Sequence, residues 1–253
     1  MIVIPMAGLS RRFTDAGYAL PKHRLPLAGA TLFERAVGSF DAYFATDPFL
    51  FVVRDVEGAP AFVAETARAL GIARFEVAVL DAPTRGQAET VELGLCAIGA
   101  PGADELVIFN VDTIRPGLRI ARRAGSSGTL EVFRAPGEHW SFVEPQAAAS
   151  PWVRRCTEKV RIGELCSTGL YRFAHAEDFV RALDDERARP SSPELYVAPL
   201  YNHLIARGLR VDWVEVPAAD VWLAGVPAEY EATKARLERA SPGEARRTAP
   251  QAT

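Results

Sequence analysis

The stretch IVIPMAGLSRRFTDAGYALPKHRLPL, residues 2–27, decides how the chain is read. Its first four residues, Ile2 to Pro5, form a short apolar run that suits a buried strand. The run does not lead into the short turn that normally links a strand to a helix. It leads into a long loop carrying Gly8, Ser10, Arg11 and Arg12, with Pro21 and Lys22 further on. Glycine lets a ligand come close to the backbone, and successive N–H groups can then face its oxygens. Three cations at one strand end, Arg11, Arg12 and Lys22, suit a triphosphate. A solvated basic loop is the other reading of the same residues. The dinucleotide fingerprint GxGxxG and the phosphate-loop pattern GxxxxGK[ST] are both missing.

Outward from this stretch, apolar runs at Phe49 to Val53, Phe75 to Leu80 and Leu106 to Phe109 read as further buried strands. Helical patterns over Thr31–Tyr43, Pro60–Leu70 and Gln87–Cys96 lie between them. Thr31 with Glu34 makes a capping box for the first. Strand and helix alternate, which predicts an α/β fold: a Rossmann-like, mainly parallel sheet flanked by helices. Ligands in such sheets bind beyond the carboxyl ends of the strands, so the loops after Pro5, Leu80 and Phe109 are the candidate site. After about residue 125 the rhythm changes. GTLEVFRA, HWSFVEPQ, PWVRRCTEKV and STGLYRF read as strands separated by turns, a smaller antiparallel lobe beside the parallel sheet. Helices are expected at Ala176–Arg187, Leu195–Arg207 and Pro227–Glu238, and a strand in LRVDWVEVP. One domain is expected over residues 1–240, with a mainly parallel half to 124 and a mainly antiparallel half beyond. The polar stretch 241–253 reads as a disordered tail.

The composition, 49% hydrophobic and 24% charged over 253 residues, is that of a globular protein. A net charge of −3 gives no global basic footprint for nucleic acid. No apolar run approaches a membrane span, and no leader pattern opens the chain, so the cytoplasm is the expected compartment. Cys96, Cys156 and Cys166 form no CxxC pair and read as incidental thiols.

The opening stretch resembles the signature of the sugar-phosphate nucleotidyltransferases, A-G-x-G-[ST]-R-[LF] after a first strand and P-K later. Ala7, Gly8, Arg12, Phe13, Pro21 and Lys22 fit it. Ser10 stands where a second glycine is usual, and Arg11 where Ser or Thr is usual. APTRGQAETVELGL resembles the family's P-x-G-x-A-x-[AT] element, and VIFNVDT its strand ending in a metal-binding aspartate. The resemblance implies the nucleotide-diphospho-sugar transferase fold. It implies that Ala7, Gly8, Ser10 and Arg11 hold the nucleotide, with Gly86 and Gln87 against the nucleobase. Arg12 and Lys22 would be catalytic, and Asp112 would hold Mg²⁺ or Mn²⁺. Asp112 lies just past a strand end, where a hard cation or a turn cap accounts for it. Glu158 and Lys159 match the family's E-K pair for acceptor hydroxyls and phosphate. Ser167, Thr168 and Gly169 match the strand lining the acceptor pocket. SPELYVAPLYNHLIARG resembles the capsule and lipopolysaccharide subset, with Tyr196, Tyr201 and Asn202 either facing the pocket or lying in a helix core. The family's second metal aspartate has no match in ADVWLAGVPAEYE. Either Asp220 reaches the cation from a neighbouring position, or the cation relies on Asp112 and phosphates.

The implied activity is transfer of a nucleotidyl group from an NTP to a phosphorylated acceptor, such as a sugar 1-phosphate. Pyrophosphate is released, and the product is an activated precursor for surface polysaccharide. The partners are these two small molecules, not nucleic acid or membrane; homo-oligomerisation is open. The alternatives are a CTP-dependent enzyme for a non-sugar phosphate (phosphoglutamine- or phosphocholine-like) and a nucleotide-binding module without catalysis. An oxidoreductase of Rossmann type lacks its glycine fingerprint here.

Overall fold

The computed structural model describes residues 1–100 and 104–239. Its first half runs β1 (Ile2–Pro5), α1 (Arg11–Asp15), β2 (Pro26–Leu27), β3 (Ala30–Thr31), α2 (Leu32–Gly38), β4 (Phe49–Arg54), α3 (Ala59–Ala69), β5 (Phe75–Leu80), α4 (Gln87–Ala97), β6 (Leu106–Phe109) and β7 (Thr113–Ile114). Its second half runs β8 (Gly128–Arg134), β9 (Ser141–Pro145), β10 (Val153–Glu158), β11 (Leu165–Phe173), α5 (Ala176–Ala188), α6 (Leu200–Ala206), β12 (Val211–Glu215), β13 (Trp222–Leu223) and α7 (Pro227–Arg239).

The four strands expected in the first half form, and β5, β4, β1 and β6 pair in parallel in that spatial order, though β5 lies at the sheet edge and buries only Ala78 rather than the whole expected run. Side-chain alternation explains why both faces are covered. Val3, Leu50, Val52 and Ile108 join one apolar cluster, while Ile4, Phe51, Val53 and Phe109 join another on the opposite face. Burial at this level is worth about 1.5–3 kcal/mol for each large apolar side chain. The Thr31–Glu34 capping box is present. The helix it starts ends at Gly38 rather than Tyr43. Ser39 Oγ there accepts the backbone N–H of Arg115 at 2.9 Å, and Asp41–Tyr43 closes as a 3₁₀ turn.

The antiparallel strands form as expected, on one side of the parallel strands, and they are hydrogen-bonded directly to them. β11 runs antiparallel to β6 through Leu170↔Phe109 to Phe173↔Leu106. Its first residues, Leu165 and Cys166, also pair with β9, and β8 pairs along it. Both halves therefore share one nine-stranded sheet, and β12 joins β8 in parallel. The helix expected over Leu195–Arg207 begins only at Leu200, after Pro199 as N-cap. The preceding segment is extended because its backbone is used elsewhere: Leu195 N–H donates to Arg85 O at 3.0 Å, and Leu195 O accepts from Ala88 N–H at 2.9 Å. The stretch expected to be a disordered tail lies outside the described residues.

Candidate functional site

A cleft of about 540 Å³ opens where the carboxyl ends of β1 and β6 meet the start of α4. Ala7, Gly8 and Ser10 line it from the first loop, with Lys22 and Asp112 deeper and Gly86 opposite. Ser10 sits in the left-handed region at φ 51° and turns the chain into α1. That helix buries Phe13 against Tyr18 and Tyr230, which carries Arg11 and Arg12 to its exposed side. Neither arginine lines the cleft, so of the three expected cations only Lys22 faces it. Lys22 lies on a 3₁₀ turn over Lys22–Arg24, and its Nζ donates to Asp112 Oδ2 at 2.8 Å. The signature lysine and the strand-end aspartate thus meet as one partly buried ion pair. His23, beside them, is held neutral: burial and the charges of Arg24 and Lys22 pull it down to about 4.

Gly86 is fixed by a close approach. A methyl group there would lie 2.5 Å from Leu195 O, so the start of α4 locks onto the 193–197 segment only without a side chain. That segment brings Glu194 and Tyr196 to the site, where a helix beginning at Leu195 would have put Tyr196 on α6.

A second cavity of about 270 Å³ adjoins the first. Glu158, Ser167, Thr168 and Gly169 line it as expected, along with Trp140 and Tyr196. Glu158 accepts from Ser141 Oγ. Burial pushes its carboxyl up, against the opposing pull of that bond and of the Lys159 charge. Lys159 does not line the cavity. It holds a left-handed backbone at φ 55°, donates to the Tyr196 hydroxyl and sits 4.5 Å from that ring's centroid. Burial pulls its ammonium down, but the Tyr196 hydroxyl and the Glu158 and Glu194 carboxylates outweigh this and hold it up. Thr168 Oγ1 donates at 3.0 Å to Glu131, which is itself paired with buried Arg115 at 2.7 Å. The hydroxyl proton of Thr168 is therefore engaged, and its oxygen also accepts from Leu170 N–H at 3.3 Å, which leaves one lone pair. Tyr201 is core: its hydroxyl donates to Arg172 O at 2.9 Å and its ring stacks on Phe173. Asn202 brackets both backbone groups of Cys156 on β10 at 2.8 Å.

The two cavities share a wall of Gln87, Asn110 and Glu194. Gln87, expected against the nucleobase, lines the larger cleft and donates through Nε2 to Asn110 Oδ1 on that wall. Asn110 is a site residue that the sequence motifs do not single out, although it sits two residues before Asp112 at the end of a buried run.

The donor set around Asp112 suits a hard divalent cation completed by phosphate oxygens. A methyl group on Gly225 would fall 3.3 Å from Asp112 Oδ2 and 3.2 Å from Glu229 Oε2, so the glycine leaves both carboxylates uncrowded. Glu229 already accepts from the N–H groups of Gly225 and Val226, as the third residue of α7. Asp220 lies away from the cleft lining, exposed on a 3₁₀ turn whose carbonyl accepts from Arg115 at 2.8 Å. The reason is local: Arg115 ties that turn to the buried Glu131. The carboxylate nearest Asp112 on this segment is Glu229, which the Pro-then-Glu start of α7 could have flagged as a helix cap. Among the described residues, no group of three or more His, Cys, Asp or Glu side chains is placed to hold a metal without a ligand's help.

A sheet whose strand ends open onto two adjoining cavities, with a Lys–Asp ion pair in the larger one, has the layout that a nucleotidyltransferase requires for two substrates. No family model and no curated protein matches the chain. Solved structures do. A nucleoside-diphosphate-sugar pyrophosphorylase from Vibrio cholerae RC9 is 46% identical over 93% of this chain and 100% of its own, with a TM-score of 0.88. A putative glucose-1-phosphate thymidylyltransferase from Bacillus anthracis (17% identity, 95% of each chain, TM-score 0.72) shares the fold. So does an inositol-1-phosphate CTP transferase from T. maritima (14%, 95% of this chain and 96% of that one, TM-score 0.69). The chain belongs to the nucleoside-diphosphate-sugar pyrophosphorylase family and is a nucleotidyltransferase.

Proposed function

We propose that the chain transfers a nucleoside monophosphate from an NTP to a phosphorylated small-molecule acceptor, a sugar 1-phosphate or a close analogue, and releases pyrophosphate. The observation that carries this is the shared wall: two cavities meet beside the Lys22–Asp112 pair. An acceptor phosphate oxygen attacks the α-phosphorus. The bond from that phosphorus to its bridging oxygen breaks, and pyrophosphate leaves with the electron pair. A phosphate monoester is already an anionic nucleophile near neutral pH, so the protein's task is to bring anions together and neutralise charge. Lys22 bridges the α-phosphate and the attacking group. The N–H groups around Gly8 and Ser10 face the leaving phosphates, and Arg12, exposed on α1 outside the cleft lining, would have to swing inward to join them. Lys159 leaves Tyr196 for the acceptor phosphate, while Glu158 and Thr168 take acceptor hydroxyls. Asp112 is the residue to hold Mg²⁺ or Mn²⁺, which neutralises phosphate charge when bound. The likeness of SPELYVAPLYN to the capsule and lipopolysaccharide subset supports a product destined for surface polysaccharide. Among the described residues no helix is long and apolar enough to cross a membrane.

The test is thermal unfolding with CTP, UTP, dTTP, GTP and ATP, each with and without Mg²⁺, followed by pyrophosphate release against phosphorylated acceptors. A ligand at a hundred times its Kd adds about 2.7 kcal/mol of stability. A Mg²⁺-dependent shift with one nucleotide, then acceptor-dependent pyrophosphate release, is the expected result. Nucleotide binding without pyrophosphate release under any acceptor overturns the transfer reading.

A further inference from the structure

The wall between the cavities is a built feature, not a gap between loops. Asn110 comes directly after the last residue of β6, and its backbone N–H donates to Gly169 O at 3.2 Å. The pairing of β11 with β8 shifts register between Ser167 and Tyr171, and Gly169 within that shift holds φ at +88°. Such irregularities next to active sites re-aim side chains. Here the beneficiary is Asn110: a methyl group on Gly169 would lie 2.6 Å from its side-chain amide. Gly169 supports Asn110 on one side, and Gln87 at the start of α4 bonds it on another. The side chain is therefore held at the junction by two elements that are far apart in sequence.

Each amide has two N–H donors. The bond between Gln87 and Asn110 uses one, and neither amide has another protein partner among the described residues. Both residues line both cavities. A pair that only braced α4 against β6 would not need to face either.

We infer that the Gln87–Asn110 amide pair is a specificity-determining seat for the acceptor. Its unused donors and lone pairs hold a hydrogen-bonding group next to the acceptor's phosphate-bearing atom, and so aim that phosphate at the α-phosphorus. The inference rests on the nucleotidyl-transfer reading and assigns Gln87 to the acceptor rather than the nucleobase. A site built to hydrogen-bond a ligand group rejects the analogue that lacks it, because its own buried polar groups are left unpaired.

The test uses the full chain and a panel of product-like compounds. Calorimetric titration with UDP-glucose, dTDP-glucose, GDP-mannose, CDP-ribitol and CDP-choline finds the tightest NDP-linked compound, and its NMP serves as control. Asn110→Leu and Gln87→Leu should each weaken the NDP-linked compound at least tenfold while NMP affinity stays within about threefold, the fold being monitored by unliganded melting. Asn110→Asp keeps the shape against Gly169 and can still accept from Gln87, so it covers the case in which a leucine variant fails to fold. It too should lose the compound by at least tenfold. Unchanged affinity in Asn110→Asp, or parallel loss of NMP and compound in the leucine variants, overturns the seat and leaves the transfer reading intact. NTP binding with no binding of any NDP-linked compound overturns the transfer reading, and the seat with it.

Discussion

Gly169→Ala, compared with Gly8→Ala, separates what holds the site together from what the site holds. Both glycines line a cavity, but their surroundings differ. At Gly169, φ is +88° and an added methyl group would meet Asn110 Cγ and Nδ2 at 2.6 Å and its Cβ at 3.0 Å. At Gly8 no heavy atom lies within 4 Å. Alanine in the left-handed region costs about 1–2 kcal/mol. Overpacking against a side chain that Gln87 already fixes adds about 1–3 kcal/mol. The smaller entropy of the unfolded alanine chain offsets about 0.4–1 kcal/mol of this. The net is a loss of about 2–4 kcal/mol, or roughly 5–15 °C in Tm for a chain of this size. Gly8→Ala should melt within about 2 °C of the parent, since surface substitutions of this kind stay within about 0.5 kcal/mol. Its methyl group projects into the nucleotide cleft, so it should blunt the stabilisation given by the matching Mg²⁺–NTP. Scanning calorimetry of both variants, with and without nucleotide, reads all four quantities. A Gly169→Ala protein melting within about 2 °C of the parent would show that Asn110 is not wedged, and the argument for a rigid wall would collapse.

Lys22→Ala should leave the fold intact and lower kcat by about 10²–10³, the usual cost of removing one preorganised charge-stabilising group; near-parental pyrophosphate release would remove Lys22 from the reaction. Arg115→Met strands the buried Glu131 carboxylate, and should cost about 3–5 kcal/mol, whereas Arg115→Met with Glu131→Leu should recover most of it. Denaturant unfolding of the two proteins checks this, and equal losses would mean the pair is not electrostatically coupled. His23 is held at about 4 in the folded chain against an ordinary 6.5. The unfolded chain therefore binds the proton first, and the fold loses stability as pH falls from about 6.5 to about 4, by up to about 3 kcal/mol. His23→Gln should flatten that part of the pH–stability curve; a curve unchanged by the substitution would place the titration elsewhere.

The parallel half of the fold was legible because it rests on short-range patterns: buried runs of four to six residues, a capping box, and strand–helix alternation. The candidate site was legible to the same depth. Lys22, Asp112, Gly86 and Glu158 reach the cavities because each sits at or near the end of an element, while Thr168 reaches one from within β11, in a strand that the sequence marks. Arg11 and Arg12 do not, since one turn of helix that must bury Phe13 faces them outward, and a cation count along the loop does not resolve that.

Asn110 and Glu194 were illegible, and Tyr196 was left between pocket and helix core, for a different reason: their placement is decided by pairings between segments far apart in the chain. Gly169 seats Asn110 only because β11 runs antiparallel to β6. Glu194 and Tyr196 face the site only because Leu195 is bonded into the turn before α4. The same pairings make the two halves one sheet, and this bears on chemistry. If the acceptor half were a separate lobe, its position relative to the α-phosphate would depend on a hinge. Since β6 carries the sheet on to Asn110 and Asp112, while its partner β11 carries Ser167 to Gly169, the nucleotide and acceptor of the proposed transfer would be positioned by neighbouring strands of one hydrogen-bonded sheet. Attack in line tolerates little misplacement. A continuous sheet, with a wedged amide at its seam, is a physical means of meeting that tolerance before either ligand arrives.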